Sequence, residues 1–165
     1  MADRMRSTCC FIGHRTIEET EELKRGLQRT IERLICEAGV DTFLFGSKSR
    51  FDELCLETVT QMKEKYPHIK RIYVRAEYPE IRDEYRKYLL EFYEDTHYPE
   101  RVKGAGRAVY VERNYEMIQN SRYCIFYYDP TNAPATRKSG TKMALDYAGK
   151  RGKEIINIVE RIKTP

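Results

Sequence analysis

Short apolar runs alternate along the chain with stretches whose apolar residues recur every three or four positions. Thr8-Cys9-Cys10-Phe11-Ile12 is a compact apolar run halted by Gly13, which predicts a strand buried on both faces. Thr16, with Glu19 following, reads as a capping box that opens a helix. Leu23, Leu27, Ile31, Leu34 and Ala38 then form one stripe, and Gly39 stands where a left-handed residue commonly closes a helix. Thr42 to Phe45 predicts a second strand, stopped by Gly46. Leu54, Cys55, Thr58, Val59, Met62 and Tyr66 mark another amphipathic helix, ended by Pro67. Ile69 to Val74 predicts the third strand, and Ile81, Tyr85, Tyr88, Leu89 and Phe92 a further helical face. The stretch from Glu94 to Arg107 is polar, carries Pro99, Gly104 and Gly106, and is the least regular part. A short helix through Val111, Tyr115 and Ile118 leads to the strand Tyr123 to Tyr128. After a loop, a helix from Thr141 to Lys150 and a last strand, Glu154 to Val159, complete the pattern.

This alternation implies an α/β fold: a Rossmann-like, doubly wound, mostly parallel five-stranded sheet with helices on both faces. With 165 residues, no repeat and no low-complexity linker, a single domain over 1–165 is expected. Ligands of such sheets bind beyond the carboxyl ends of the strands, where strand order reverses. For an order 3-2-1-4-5 that point lies between the first and fourth strands. The residues leaving them are Gly13-His14-Arg15 and Asp129-Pro130.

Composition narrows the partners. Thirty basic residues face 26 acidic ones, a net charge of +4 that tolerates a phosphate-bearing ligand. No dense basic stripe is present, so nucleic acid is not the expected partner. No apolar run approaches the length of a membrane span, and no apolar signal segment follows the opening residues, so a cytoplasmic protein without membrane contact is expected. Five cysteines without a CxxC pair read as reduced thiols. With His14, His68 and His97 scattered, no metal-ligand pattern emerges, and neither metal nor cofactor is expected.

The candidate chemistry lies at the predicted strand ends. In Arg137-Lys138-Ser139-Gly140-Thr141, Ser139 can cap a helix while Gly140 lets backbone N–H groups approach an anion. An ordinary helix cap explains the same residues. Gly13-His14-Arg15 combines a tight turn, a group that titrates near neutrality and a planar cationic fork, or is simply a turn with an exposed pair. Gly46-Ser47 ends the second strand, and Phe51-Asp52 opens the helix after it, where Asp52 suits the helix start with or without a ligand. Glu57 is at best a neighbour of Asp52. Arg113 and Asn114 precede the fourth strand and can reach the same crevice. Asp52 and Asp129 are the candidate catalytic carboxylates. Of the 13 tyrosines, Tyr127 and Tyr128 are the favoured stacking platforms, while Tyr85 and Tyr88 suit a homodimer.

Together the motifs carry a resemblance. Cys10-Phe11-Ile12-Gly13-His14-Arg15, Gly46 with Phe51-Asp52 and Glu57, Arg113-Asn114-x-x-Met117-Ile118-x-x-Ser121, Ser139-Gly140-Thr141-x-x-Ala144-x-x-Tyr147-Ala148 and Gly152-Lys153-x-Ile155-Ile156-Asn157 resemble, in order and spacing, the YpsA-like branch of the SLOG superfamily. The resemblance covers nearly the whole chain and is weakest over 93–109. It implies a Rossmann-like fold and a small-molecule nucleotide ligand, a nucleoside phosphate or an ADP-ribose-type signal, held by a sensor or sequestering module. The superfamily also contains LOG-type phosphoribohydrolases and DprA-like DNA binders, so an N-glycosidic hydrolase or transferase and a single-stranded DNA binder are the alternatives.

The departures bear on catalysis. Met143 and Ala144 stand where the phosphoribohydrolases carry acids, and Ala144 also stands where the similar deoxyribosyltransferase pattern has glutamate. N-glycosidic cleavage needs a carboxylate against its oxocarbenium-like state. Asp146 is rotated about 200° along the helix from Ala144 and is no substitute. Ser47 and Arg50 replace two glycines of the family pattern, which narrows the approach to the second strand end.

Overall fold

The structure, a computed structural model, describes residues 2–132 and 139–163. Its centre is a six-stranded, all-parallel sheet with the order β4-β3-β2-β1-β5-β6. The strands are β1 (Thr8–Gly13), β2 (Thr42–Phe45), β3 (Lys70–Val74), β4 (Asp95–His97), β5 (Tyr123–Tyr127) and β6 (Glu154–Asn157). The helices are α1 (Ala2–Arg6), α2 (Glu21–Ala38), α3 (Arg50–Lys65), α4 (Asp83–Leu90), α5 (Val109–Gln119), α6 (Gly140–Lys150) and α7 (Ile158–Lys163).

The two faces of β1 show why the sheet needs cover on both sides. Cys9 and Phe11 join the core built with α2, α3 and α7, where Leu23, Leu27, Ile31, Leu54, Val59 and Ile158 pack. Cys10 and Ile12 face the other way, onto Met117 and Ile118 of α5 and Ala144 and Ala148 of α6. Successive strand residues point to opposite faces, so an unbroken apolar run is what a doubly covered strand requires.

Five of the strands are those expected from the sequence, in the expected relative order. The sixth, β4, is a correction: it is three residues long and adds an edge beside β3. Its residues are polar because an edge strand is held by backbone pairing rather than by burial. Here Thr96 Oγ1 donates to the Tyr73 carbonyl, and Glu94 is clamped to Arg71 at 2.6 Å. Two 3-10 turns, Glu100–Val102 and Gly106–Ala108, complete the segment that reads as irregular.

Element boundaries also differ. The helix after β1 starts at Glu21 with Thr20 as its cap, whose side chain accepts from the Leu23 N–H. The Thr16–Glu19 capping box does not form, because the Glu19 carboxylate binds Arg50 (2.6 and 2.7 Å) and the Glu18 N–H donates to the Tyr127 hydroxyl. The last strand stops at Asn157, whose side chain bonds both the N–H and the carbonyl of Tyr128, and α7 begins directly. Within α2, Gly26 lets α7 approach: a Cβ there would lie 3.1 Å from Ile162. Among the described residues, no helix is long and apolar enough to cross a membrane.

Candidate functional site

A cleft of about 780 Å³ opens at the carboxyl ends of the central strands. It is lined by Gly13, His14 and Arg15 after β1, by 46–50 and Asp52 after β2, by 75–78 after β3, by Arg113 and Asn114 of α5, and by Ser139, Gly140 and Thr141 at the start of α6. Eleven of the thirteen residues expected to hold a ligand therefore share one cavity. Arg137 and Lys138 lie outside the described residues.

Close packing of the main chain makes the cleft floor. A Cβ on Gly13 would stand 2.4 Å from Phe51 Cδ2 and 3.0 Å from the Tyr127 Cβ. Gly46 is crowded as well, since a Cβ would meet Met117 Sδ at 2.5 Å and Arg113 Cδ at 2.7 Å. Both glycines end their strands because nothing larger fits there.

Two helices start at the cleft. Ser49 caps α3 by accepting from the Asp52 N–H, and Ser139 caps α6 by accepting from the Lys142 N–H at 3.0 Å. The α3 start is already engaged. Asp52 Oδ2 accepts from the N–H groups of Gly46 (3.2 Å) and Ser47 (2.8 Å). The α6 start has no such internal carboxylate among the described contacts, and a Cβ on Gly140 would meet nothing within 4 Å. Its first-turn N–H groups have no carbonyl ahead of them in the helix, and the helix dipole favours an anion there.

Asp52 is the unusual group of the site. It is 3% exposed, and its Oδ1 has no hydrogen-bond partner among the described residues although it borders the cleft. Burial pushes its carboxyl up to about 6, against the pull of the Ser47 and Gly46 N–H groups and the Arg113 charge. Arg113 is itself buried, and that burial lowers its own pKa, while the nearby Asp52 charge opposes the change. Its guanidinium donates to the Gly46 carbonyl and to Asn114 Oδ1 (3.3 Å), and lies over the Tyr110 ring.

Two expected residues fall outside the cavity lining. Phe51 is fully buried beneath Gly13, its ring 5.6 Å from that of Tyr127, and acts as the floor's support. Asp129 turns away to cap its own loop, accepting from the N–H and hydroxyl of Thr131 at 3.0 and 2.7 Å. Its backbone N–H donates to His14 Nε2 at 3.0 Å. Glu57 is drawn to Arg50 (3.3 Å) and does not join Asp52. Arg50, in the place of a family glycine, borders the cleft but spends its guanidinium on Glu19, Glu53 and Glu57. Ala144 is buried against the sheet, and Asp146 pairs with Lys142 at 3.1 Å, so neither puts a carboxylate into the cleft.

The third strand supplies what the sequence reading missed. Arg75 follows β3, and Tyr73, Tyr78, Tyr85 and Tyr110 gather around that end of the cleft. Tyr127 is instead buried and Tyr128 sits beside His14 and Lys142, outside the lining. The available signal was the parallel sheet itself, whose third strand must end at the same rim as the first two.

A family model for YpsA, the YspA SLOG family, matches residues 11–161 of the chain. No curated protein matches it.

Proposed function

This chain belongs to the YspA SLOG family, and from that premise we propose that its cleft binds a nucleotide or nucleotide-derived ligand as a sensor or sequestering module. The observation that carries the reading is that one cleft holds Asp52, whose Oδ1 has no hydrogen-bond partner among the described residues, and the Ser139-capped start of α6. Those two groups call for a ligand that combines hydroxyl donors with an anion, and a sugar phosphate has both. The phosphate goes to the amino end of α6, with Arg15 close by on the cleft wall. A ribose hydroxyl donates to Asp52, and the base lies against the tyrosines beyond β2.

The test is calorimetry with adenosine monophosphate and ADP-ribose on the purified protein, alongside Gly140→Leu and Arg15→Ala. The leucine fills open space at the helix start, and the alanine removes an exposed guanidinium, so both variants should melt like the parent. Each should weaken nucleotide affinity about tenfold or more, the worth of a charge-assisted contact. Unchanged affinity in both variants would refute the placement.

A second reading, N-glycosidic cleavage, draws on one observation: a cleft carboxyl held near 6 can exchange protons around neutrality. Base released from adenosine monophosphate by the parent protein and abolished in Asp52→Asn would favour it. Asp129, bound to its own loop, is not a partner in that chemistry.

A further inference from the structure

Arg75 stands apart from the other cleft arginines. Its side chain belongs to a residue only 9% exposed, yet all three of its acceptors are neutral: the Tyr78 carbonyl (3.3 Å), Thr96 Oγ1 (3.0 Å) and the Pro79 carbonyl (3.4 Å). Among the described residues no carboxylate comes within 4.0 Å of it. Arg50, by contrast, has three glutamates in contact. A buried guanidinium without a counter-ion is costly, and a guanidinium has five donors, of which three are used here, all at 3.0 Å or longer.

The protein goes to some length to hold it there. Tyr78 adopts φ 60, a left-handed conformation that costs a tyrosine about 1–2 kcal/mol, and its carbonyl accepts from Arg75 Nε. Glu77, the nearest acidic residue in sequence, is turned to the Tyr110 hydroxyl rather than to Arg75. Arg86 acts on Arg75 as a further positive charge, and Asp95 opposes it only from beyond ion-pair distance.

Position decides what this cation can serve. In the order β3-β2-β1-β5, the end of β3 is three strand spacings from that of β5, about 14 Å, and two from that of β1, about 10 Å. The Arg75 guanidinium is moreover turned to Thr96 of β4, on the far side of β3 from β5, so a phosphate at the α6 start does not meet it. We propose that the cleft ligand is a nucleotide with a second anionic group, a carboxylate or a phosphate, at the end far from its 5′-phosphate, and that Arg75 receives that group. This inference rests on the nucleotide reading and adds the class of nucleotide.

Three probes test it by calorimetry: adenosine 5′-monophosphate, adenylate carrying a succinyl group on the base nitrogen, and adenosine 3′,5′-bisphosphate, whose two phosphates share one ribose and so control for added charge without added reach. The succinyl probe should bind the parent protein at least tenfold more tightly than adenosine monophosphate. Arg75→Gln should remove that advantage, read as the ratio of the two affinities within the variant. A gain with the bisphosphate equal to or above that of the succinyl probe would show that added charge rather than reach is read, and would count against Arg75. Equal affinity of all three for the parent protein would overturn the inference yet leave the nucleotide reading standing. If none binds, both fall. Should Arg75→Gln not fold, Arg75→Lys keeps the charge without the planar fork, and a preference for the double anion undiminished there would also count against Arg75.

Discussion

Replacing Asp52 by asparagine tests the physical core of the site. The carboxyl moves from an ordinary 3.8 to about 6 in the folded protein, and this is what remains after two backbone N–H groups and Arg113 have acted on it. Roughly two pKa units correspond to about 3 kcal/mol of preference for the neutral form. Because the folded-state pKa is raised, the native protein binds more protons than the unfolded chain between 3.8 and about 6. Its stability therefore falls as pH rises through that window, and the contribution of this group is fully present only below it. Asparagine keeps an oxygen for the Gly46 and Ser47 N–H groups and removes the charge. Urea denaturation at pH 4, 5, 6, 7 and 8 should show Asp52→Asn gaining on the parent with rising pH, by about 3 kcal/mol in all, and levelling above 7. Nucleotide affinity should fall about tenfold or more in the same variant, because an amide N–H₂ replaces the acceptor proposed for the ribose hydroxyl. A stability difference that stays flat with pH, or that moves towards the parent as pH rises, would refute the account of a carboxylate held at a cost for ligand binding.

Gly13→Ala should destabilise by about 1–3 kcal/mol, since the new methyl would overlap the Phe51 ring in a packed floor. Adding Phe51→Leu should recover part of that, and a coupling of about 1 kcal/mol in a double-mutant cycle would measure the contact. Strict additivity would show that Gly13 is needed for another reason. Tyr78→Asn should raise the melting temperature by about 2–4 °C, because asparagine tolerates the left-handed backbone at φ 60 far better than tyrosine. An unchanged or lowered midpoint in differential scanning calorimetry would mean that the lost ring contacts outweigh the strain relieved.

The central sheet was legible in the chain because burial on both faces forces continuous apolar strands, and amphipathic helices reveal themselves by period. Thr8 to Gly13, Thr42 to Phe45 and Tyr123 to Tyr127 need no partner to be recognised. The rim follows from topology, so Gly13, Gly46 and Gly140 were placed at the cleft by the rule that parallel strands end together. Where elements are held by pairing rather than by burial, the pattern is silent. Strand β4 is three polar residues fixed by β3 and an Arg71–Glu94 clamp. Helix α7 has only six residues, and its place depends on the notch at Gly26.

Charge distribution was decided by tertiary structure alone. Asp129, Glu57 and Asp52 are all acids near strand ends, and nothing in their spacing separates them. Folding ties Asp129 to Thr131, draws Glu57 to Arg50, and leaves only Asp52 buried at the cleft with one oxygen unmet. Arg75 likewise reads as an ordinary basic residue after a strand, until burial strips it of water and its neighbours supply only neutral acceptors. Local sequence sets hydrophobic period and turn chemistry, whereas the cost of a charge depends on what surrounds it in three dimensions.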